Sequence, residues 1–256
     1  MFVGSVPRAI DRSDAQGWFL LGKLAQDRGD FVEAANAFHA ATEERPGLAL
    51  AHEGLGLALL GLGREEEGVQ SLRRAVELDV RLAPSGAERL LQLLLAREDF
   101  DEAIALARKI GAALPHSAQG PFDESRVHFH RYERLRASGA RAEDQAAALA
   151  AAREALQRTS ERTLDTELRF AVPFSMGRVA LEAQRPAEAV APFERALAAQ
   201  PTPDAEGWYF EAVRGLVFAL RASGRASEAA ERLDAFLPKT SDDPRATALR
   251  AELLGR

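Results

Sequence analysis

Apolar residues along this chain recur at intervals of three and four. Trp18, Leu21 and Ala25 do so, then Ala34 and Phe38, and much later Val213, Leu216, Val217 and Leu220. That spacing places each set on one face of an α-helix and leaves the opposite face to polar residues. Glycine and proline punctuate the pattern. Gly29 stands where a first helix must end in a left-handed turn, and Pro46 stops the next one. Ser13-x-x-Gln16 and Ser85-x-x-Glu88 read as capping boxes at helix starts. Only 7% of residues are aromatic, and alanine and leucine dominate the apolar set. Strands prefer β-branched and aromatic residues, so this composition favours helices throughout.

The helices repeat. Gly22 and Gly56, Gly29 and Gly63, Phe38 and Leu72, and Ala41 and Ala75 are pairs 34 residues apart. A third unit follows after a one-residue slip, with Leu72 mapping to Ala107, Ala75 to Ile110 and Pro46 to Pro115. Small residues such as Gly22 and Ala34 let two helices approach, while Trp18, Leu21 and Phe38 fill the space around them. The order Trp18-x-x-Leu21-Gly22-x-x-Ala25, Ala34-x-x-x-Phe38, Pro46 resembles the signature of the tetratricopeptide repeat, W-x-x-L-G-x-x-Y…A-x-x-x-F…P, with only the tyrosine replaced. The resemblance implies an all-α fold, a right-handed superhelix (α-solenoid) of about six helix-turn-helix units plus a C-terminal capping helix. It covers about 14–240.

Units are expected at about 15–48, 49–82, 84–117, 122–157, 162–201 and 204–240, after an N-terminal extension 1–13 and before a capping helix within 241–256. In the later half, Arg185-Pro186-Ala187-Glu188-Ala189 leads to Phe193, Ala196 and Pro201, and Ser223-Gly224 leads to Ala229 and Leu233. Pro115 and Pro201 stand 86 positions apart, too many for two units of 34. Longer helix pairs are therefore expected there, about 122–138 with 142–157 and about 162–183 with 187–199. Pro173 falls inside the third of these helices, where an interior proline costs about 3 kcal/mol, so a kink or a late start is expected. Thr202-Pro203 reads as an N-cap with proline at the first helical position. Asp243-Pro244 to Leu254 reads as a solvating end helix, with Ala246, Leu249 and Leu253 inward.

Charge and composition remove several function classes. Hydrophobic residues at 46% and charged residues at 28% describe a folded chain rather than a disordered one. A net charge of −6 argues against nucleic acid as a partner. The absence of cysteine excludes disulfides, thiolate metal sites, a cysteine nucleophile and a cysteine-linked lipid anchor. Met1 to Ile10 has no apolar core of the signal-peptide kind, and no run approaches the ~18 apolar residues of a membrane span. A cytoplasmic protein is expected. Arginine outnumbers lysine 30 to 3, which we read as genome composition.

Candidate chemistry is sparse. The histidines are His39, His52, His116, His128 and His130. His128-x-His130 is the one close pair, but residues two apart on a helix point to different faces and chelate a metal poorly. Glu65-Glu66-Glu67 and Asp99-x-Asp101-Glu102 sit at the starts of second helices, where carboxylates favour the positive end of the dipole. There is no G-x-S-x-G elbow, no G-x-x-x-x-G-K-[ST] and no G-x-G-x-x-G loop. Gly54-x-Gly56 and Gly61-x-Gly63 are explained by packing and turn. No catalytic residue, metal or cofactor is expected, and the chain does not read as an enzyme.

The resemblance also implies a working surface, a groove lined by the first helix of each unit that receives an extended or helical peptide. The family's groove positions fall on Phe19, Lys23 and Gln26, then Leu50, Glu53 and Leu57, then Ser85, Glu88 and Gln92. Further along they fall on Arg126, Phe129, His130, Glu133 and Arg136, then Phe174, Arg178 and Leu181, and finally Arg214, Phe218 and Arg221. A partner-binding set of Phe19, Lys23, Leu57, Gln92, Arg126, Phe129, His130, Phe174, Arg178, Arg214, Phe218 and Arg221 follows. One subset of the family clamps a chaperone's C-terminal carboxylate. At its matching positions stand Phe19, Lys23, Gly54, Ser85 and Arg89, of which only Lys23 and Arg89 agree in type, so a heat-shock co-chaperone role is not expected.

Arginine and aromatic residues are enriched at binding hot spots, and the second half mixes four groove arginines with Phe129, Phe174 and Phe218. An acidic, apolar-flecked peptide between repeats four and six is the partner this pattern favours. The competing reading assigns the phenylalanines to the core and the arginines to a solvated face. The function expected is a protein-protein interaction scaffold or adaptor. The alternative is a ligand- or peptide-sensing regulatory module of a bacterial-type signalling or assembly system. A helical-repeat RNA binder is disfavoured by the acidity. The oligomeric state is open.

Overall fold

The computed structural model describes residues 14–81, 84–200, 204, 206–237 and 243–254. Thirteen α-helices and no strand occur among them. The chain divides into two compact units, Met1–Leu114 and Pro115–Arg256.

The first unit holds α1 (Ala15–Asp27), α2 (Phe31–Glu44), α3 (Ala49–Gly61), α4 (Glu65–Asp79), α5 (Pro84–Ala96) and α6 (Phe100–Ala113). Each odd helix turns sharply into the next even one. At the first such turn Gly29 has φ +76°, and the Asp30 amide reaches back to the Ala25 carbonyl at 3.0 Å. That left-handed residue closes the helix end and reverses the chain. Gly63 repeats it at φ +74°, but Glu98 does so at φ +63° with a side chain that disfavours the conformation.

Packing in this unit centres on Phe38, which is fully buried. Its ring lies against Gly22 on α1 and Gly54 on α3, and a Cβ at either glycine would come within 2.7 or 2.6 Å of it. One phenylalanine thus joins two successive helix pairs. Gly56 makes the same room for Leu72 of α4. Where the corresponding position carries Leu91, the backbones of α5 and α6 lie farther apart.

Two helix starts differ from expectation. Asp14 caps α1, its carboxylate accepting from the Gly17 amide at 2.6 Å, while Ser13 lies outside the described residues. Ser85 is not a cap at all. The helix already begins at Pro84, since proline tolerates the first helical position, where its missing amide costs nothing. Glu53 of α3 does the capping instead, accepting from the Gly86 amide at 2.6 Å. The acidic runs are tied into structure: Arg97 pairs with Glu65 (2.7 Å) and Glu66 (2.8 Å), Arg64 with Glu67, and Arg73 with Glu102 at 2.6 Å.

The second unit holds α7 (Gln119–Ala137), α8 (Ala142–Ser160), α9 (Leu168–Glu182), α10 (Pro186–Ala199), α11 (Trp208–Ala222), α12 (Ala226–Phe236) and α13 (Pro244–Leu254). Gly139, Gln184 and Gly224 supply its left-handed turns. Successive turn residues along the whole chain stand 34, 35, 41, 45 and 40 positions apart, so the period stretches in this unit. Part of the excess goes into α7 and α8, of 19 residues each. The rest goes into the link before α9, which starts at Leu168 rather than near 162, with Asp165 accepting from the Leu168 amide at 2.9 Å. Pro173 falls in the second turn of that helix.

The motif built around Phe38 recurs here. Phe193 of α10 is buried between Gly177 of α9 and Gly215 of α11, where a Cβ would meet its ring at 2.7 and 2.4 Å. Leu216, Leu220, Leu233 and Leu237 complete the core, and α13 contributes Ala246 and Leu249. This last helix also lays Arg245 over the Phe210 ring at 4.8 Å. The Thr202-Pro203 start signal lies outside the described residues.

Candidate partner-binding cavity

In the second unit a cavity of about 500 Å³ opens among α7, α9 and the first turn of α11. Along α7, Phe122, Arg126, Phe129 and Glu133 recur at helical spacing and present one face to it. Phe170, Phe174 and Arg178 do the same along α9, and Trp208 closes the far side. The backbones of α7 and α9 do not approach closely. Side chains span the gap: the Tyr132 hydroxyl donates to Glu182 at 2.6 Å, Arg136 bonds the same carboxylate at 2.6 Å, and Arg178 bonds Glu133 at 3.1 Å. Burial pushes the Tyr132 hydroxyl's pKa up, and the Glu182 carboxylate adds to that.

The aromatic walls are ordered by contact with one another. Phe170 stacks on Phe174 at 5.4 Å and 15°, and Trp208 meets Phe174 edge-on at 5.7 Å. Phe174 also packs against Phe193 at 6.1 Å, which ties the cavity wall to the core. Such tilted and offset pairs are worth about 1 kcal/mol each beyond the area they bury.

The charges are already engaged. The Arg178 guanidinium lies 4.5 Å from the centre of the Phe129 ring and 5.9 Å from that of Phe174, besides holding Glu133. Arg126 bonds Asp123 at 3.1 Å. His130 stands with Nδ1 3.4 Å from the Glu133 carboxylate. Burial lowers its pKa; Glu133 opposes that shift, while Arg126 and Arg178 reinforce it. Behind the α7 face, Glu124 is 2% exposed and takes a bond from Arg158 at 3.0 Å, a buried charge kept in place by its partner.

The structure brings five of the sequence-predicted residues together: Arg126, Phe129, His130, Phe174 and Arg178 all line the cavity. Phe174 is at once groove wall and core, being 7% exposed. Arg214, Phe218 and Arg221 lie farther along α11 and do not line it. Arg214 is held by Glu211 (2.8 Å) and by Glu252 of α13 (2.9 Å), while Phe218 is 58% exposed. In the first unit, Phe19 is half-buried with its ring 5.8 Å from that of Phe38. Lys23 is exposed near Glu53, Leu57 is half-buried, and Gln92 accepts from Arg89 at 3.2 Å. No cavity described in that unit gathers these four.

Sequence reasoning missed Phe122, Phe170 and Trp208. The signal for two of them was present in the four-residue spacings Phe122 to Arg126 and Phe170 to Phe174. No nucleophile paired with a base lines the cavity, and no three carboxylate or imidazole groups among the described residues are placed to hold a metal ion. Apolar aromatic walls with a few polar groups at the rim are the usual lining of ligand pockets.

These helix hairpins, with a large aromatic ring seated between two glycines of neighbouring helices, define an all-α helical-repeat protein. The chain matches the tetratricopeptide-repeat family over residues 19–87 and again over 180–253, and it belongs to that family. Much of the cavity lining, from Phe122 to Val179, lies between the two matched stretches.

Among solved structures the chain is similar to PilF of Pseudomonas aeruginosa, with a TM-score of 0.58 and 14% identity over 93% of this chain and 97% of that one. It is also similar to MamA from residue 41 onward, of Desulfovibrio magneticus RS-1, with a TM-score of 0.56 and 16% identity over 77% of this chain and all of that one. YrrB, described as a tetratricopeptide-repeat protein with an unusual peptide-binding site, aligns with a TM-score of 0.54 and 14% identity over 78% of this chain and 93% of that one. At such identities the likeness shows the fold alone. No curated protein sequence matches the chain. No helix among the described residues is long and apolar enough to cross a membrane.

Proposed function

We propose that this protein is an interaction scaffold that holds a segment of a partner polypeptide on the α7–α9–α11 face of its second unit. The observation that carries the reading is the aromatic cavity itself, a preformed concave site with arginines at its edge. Tetratricopeptide proteins as a family bind proteins or peptides, and YrrB, of similar fold, is described as having an unusual peptide-binding site. Arg126 on α7 and Arg178 on α9 flank the cavity, so reversing both disrupts the site without entering the core. Affinity capture from the source organism with the wild type and with Arg126→Glu/Arg178→Glu tests the assignment. A partner enriched by the wild type and lost with the double variant is expected. Equal recovery would place the interaction elsewhere.

A second reading has one observation in its favour. The cavity volume of about 500 Å³ falls in the range that holds small molecules, roughly 300–1,000 Å³. A ligand-sensing module would be stabilised against heat by a metabolite, and a thermal-shift survey separates it from a scaffold.

A further inference from the structure

We infer that the cavity in the second unit takes one uncharged aromatic side chain of the partner segment. This rests on the reading of that face as the docking surface and names what anchors there. An acidic anchor, which the arginines alone would favour, does not suit the geometry. Arg178 already has Glu133 at 3.1 Å and lies against the rings of Phe129 and Phe174, and Arg126 already has Asp123 at 3.1 Å. An incoming carboxylate would meet guanidinium groups whose charge is already balanced and would stand beside Glu133, gaining less than it would at an unpaired arginine. A cationic anchor would meet Arg178 and Arg126 directly. What remains unsatisfied is apolar surface, made mostly of ring faces and edges.

An aromatic occupant complements that surface better than an aliphatic one. Trp208, 42% exposed, lines the cavity with its ring edge-on to Phe174. A further ring completes the tilted and stacked series Phe170, Phe174 and Trp208, gaining aromatic contacts beyond the area it buries. Tryptophan and tyrosine are the usual anchors of protein interfaces for this reason, presenting a large rigid surface at low entropic cost.

Trp208 also reports on its own site. In the full chain carrying Trp18→Phe, Trp208 is the sole tryptophan. The probes are the capped peptides acetyl-Gly-Ser-X-Ser-Gly-amide with X as phenylalanine, leucine or glutamate, titrated against Trp208 fluorescence. The expected result is a saturable change with phenylalanine at a Kd about tenfold below those of leucine and glutamate. The change is expected to vanish in Ala171→Leu and in Ser175→Leu, which fill the cavity from α9; a wild-type-like melting curve for either one shows that the fold survives.

Equal or tighter binding of the glutamate peptide overturns the proposal. So does no saturable response to phenylalanine, or a response unchanged by either filling substitution. The docking reading is separable in the capture experiment. A partner lost with Arg126→Glu/Arg178→Glu but retained by a folded cavity-filled variant leaves the surface and removes the aromatic anchor. A partner retained by both removes the surface itself.

Discussion

Glycine at four positions sets how closely the helices pack. Gly22 and Gly54 face the ring of Phe38, and Gly177 and Gly215 face that of Phe193, each with no room for a methyl group. Because both rings are fully buried, neither can withdraw. Gly54→Ala is therefore expected to destabilise the first unit by about 1–3 kcal/mol, the usual cost of overpacking, read as a lower denaturant midpoint. A loss below about 0.5 kcal/mol, within the range of an ordinary surface change, would contradict the geometry. The turn residues allow the opposite experiment. Glu98 at φ +63° holds a conformation that Gly63 holds at φ +74° in the preceding repeat. Glu98→Gly is expected to stabilise by about 0.5–1 kcal/mol and Gly63→Ala to destabilise by about 1 kcal/mol. Shifts of the same sign in thermal denaturation would show that the turns are not equivalent.

Helices here are ended by more than their own residues. The start of α5 borrows the Glu53 carboxylate from α3, so the stability of one helix pair depends on its neighbour. Burial raises the Glu53 pKa, against the opposing pull of the Gly86 amide, Lys23 and the Ser85 amide. A carboxyl with a raised folded-state pKa contributes stability below its unfolded value of 4.5, and that contribution is lost as pH rises through the folded value. At neutral pH the ionised group is thus a cost set against the cap it provides. Glu53→Gln keeps an acceptor for the Gly86 amide and removes the charge, so it is expected to match or exceed the wild type at pH 7 and to lose that advantage below pH 4. Glu53→Ala removes the acceptor and is expected to cost about 1 kcal/mol. Chemical denaturation at the two pH values checks both; a destabilised Gln variant at pH 7 would contradict the account.

Much at this scale was legible in the sequence, because Gly22, Gly29, Ala34, Phe38 and Pro46 each answer to a local requirement of turn or packing. The start of α9 was not, since an apolar period carries no mark of where a helix begins once the spacing departs from 34. Ser85 misled because Pro84 occupies the first helical position and the true cap, Glu53, lies 33 residues before the Gly86 amide it accepts from, on another helix.

In the molecule as a whole, the regular spacing and the cavity belong to different stretches. Turn intervals of 34 and 35 residues lie in the first unit, and intervals of 41 and 45 lead into the second, where α7 and α9 stand apart. The cavity lies between them. Sequence reasoning reached Arg126, Phe129, His130, Phe174 and Arg178 through the family's groove positions. It could not separate them from Arg214, Phe218 and Arg221, because only the first turn of α11 reaches the cavity. Nor could it tell that the arginines have carboxylate partners, since Glu133 and Arg178 are 45 residues apart in sequence. The composition of that face favours an acidic groove ligand, and the aromatic one proposed above rests on its geometry.

Site-specific photocrosslinking in cells tests the central claim most directly, with p-benzoylphenylalanine placed singly at His130 on the exposed rim of the cavity, at Phe218 on the exposed face of α11, and at Gln92 in the first unit. The account predicts a discrete crosslinked partner from position 130 and none from 218 or 92. A partner trapped from Gln92 or Phe218, with position 130 silent, would contradict it.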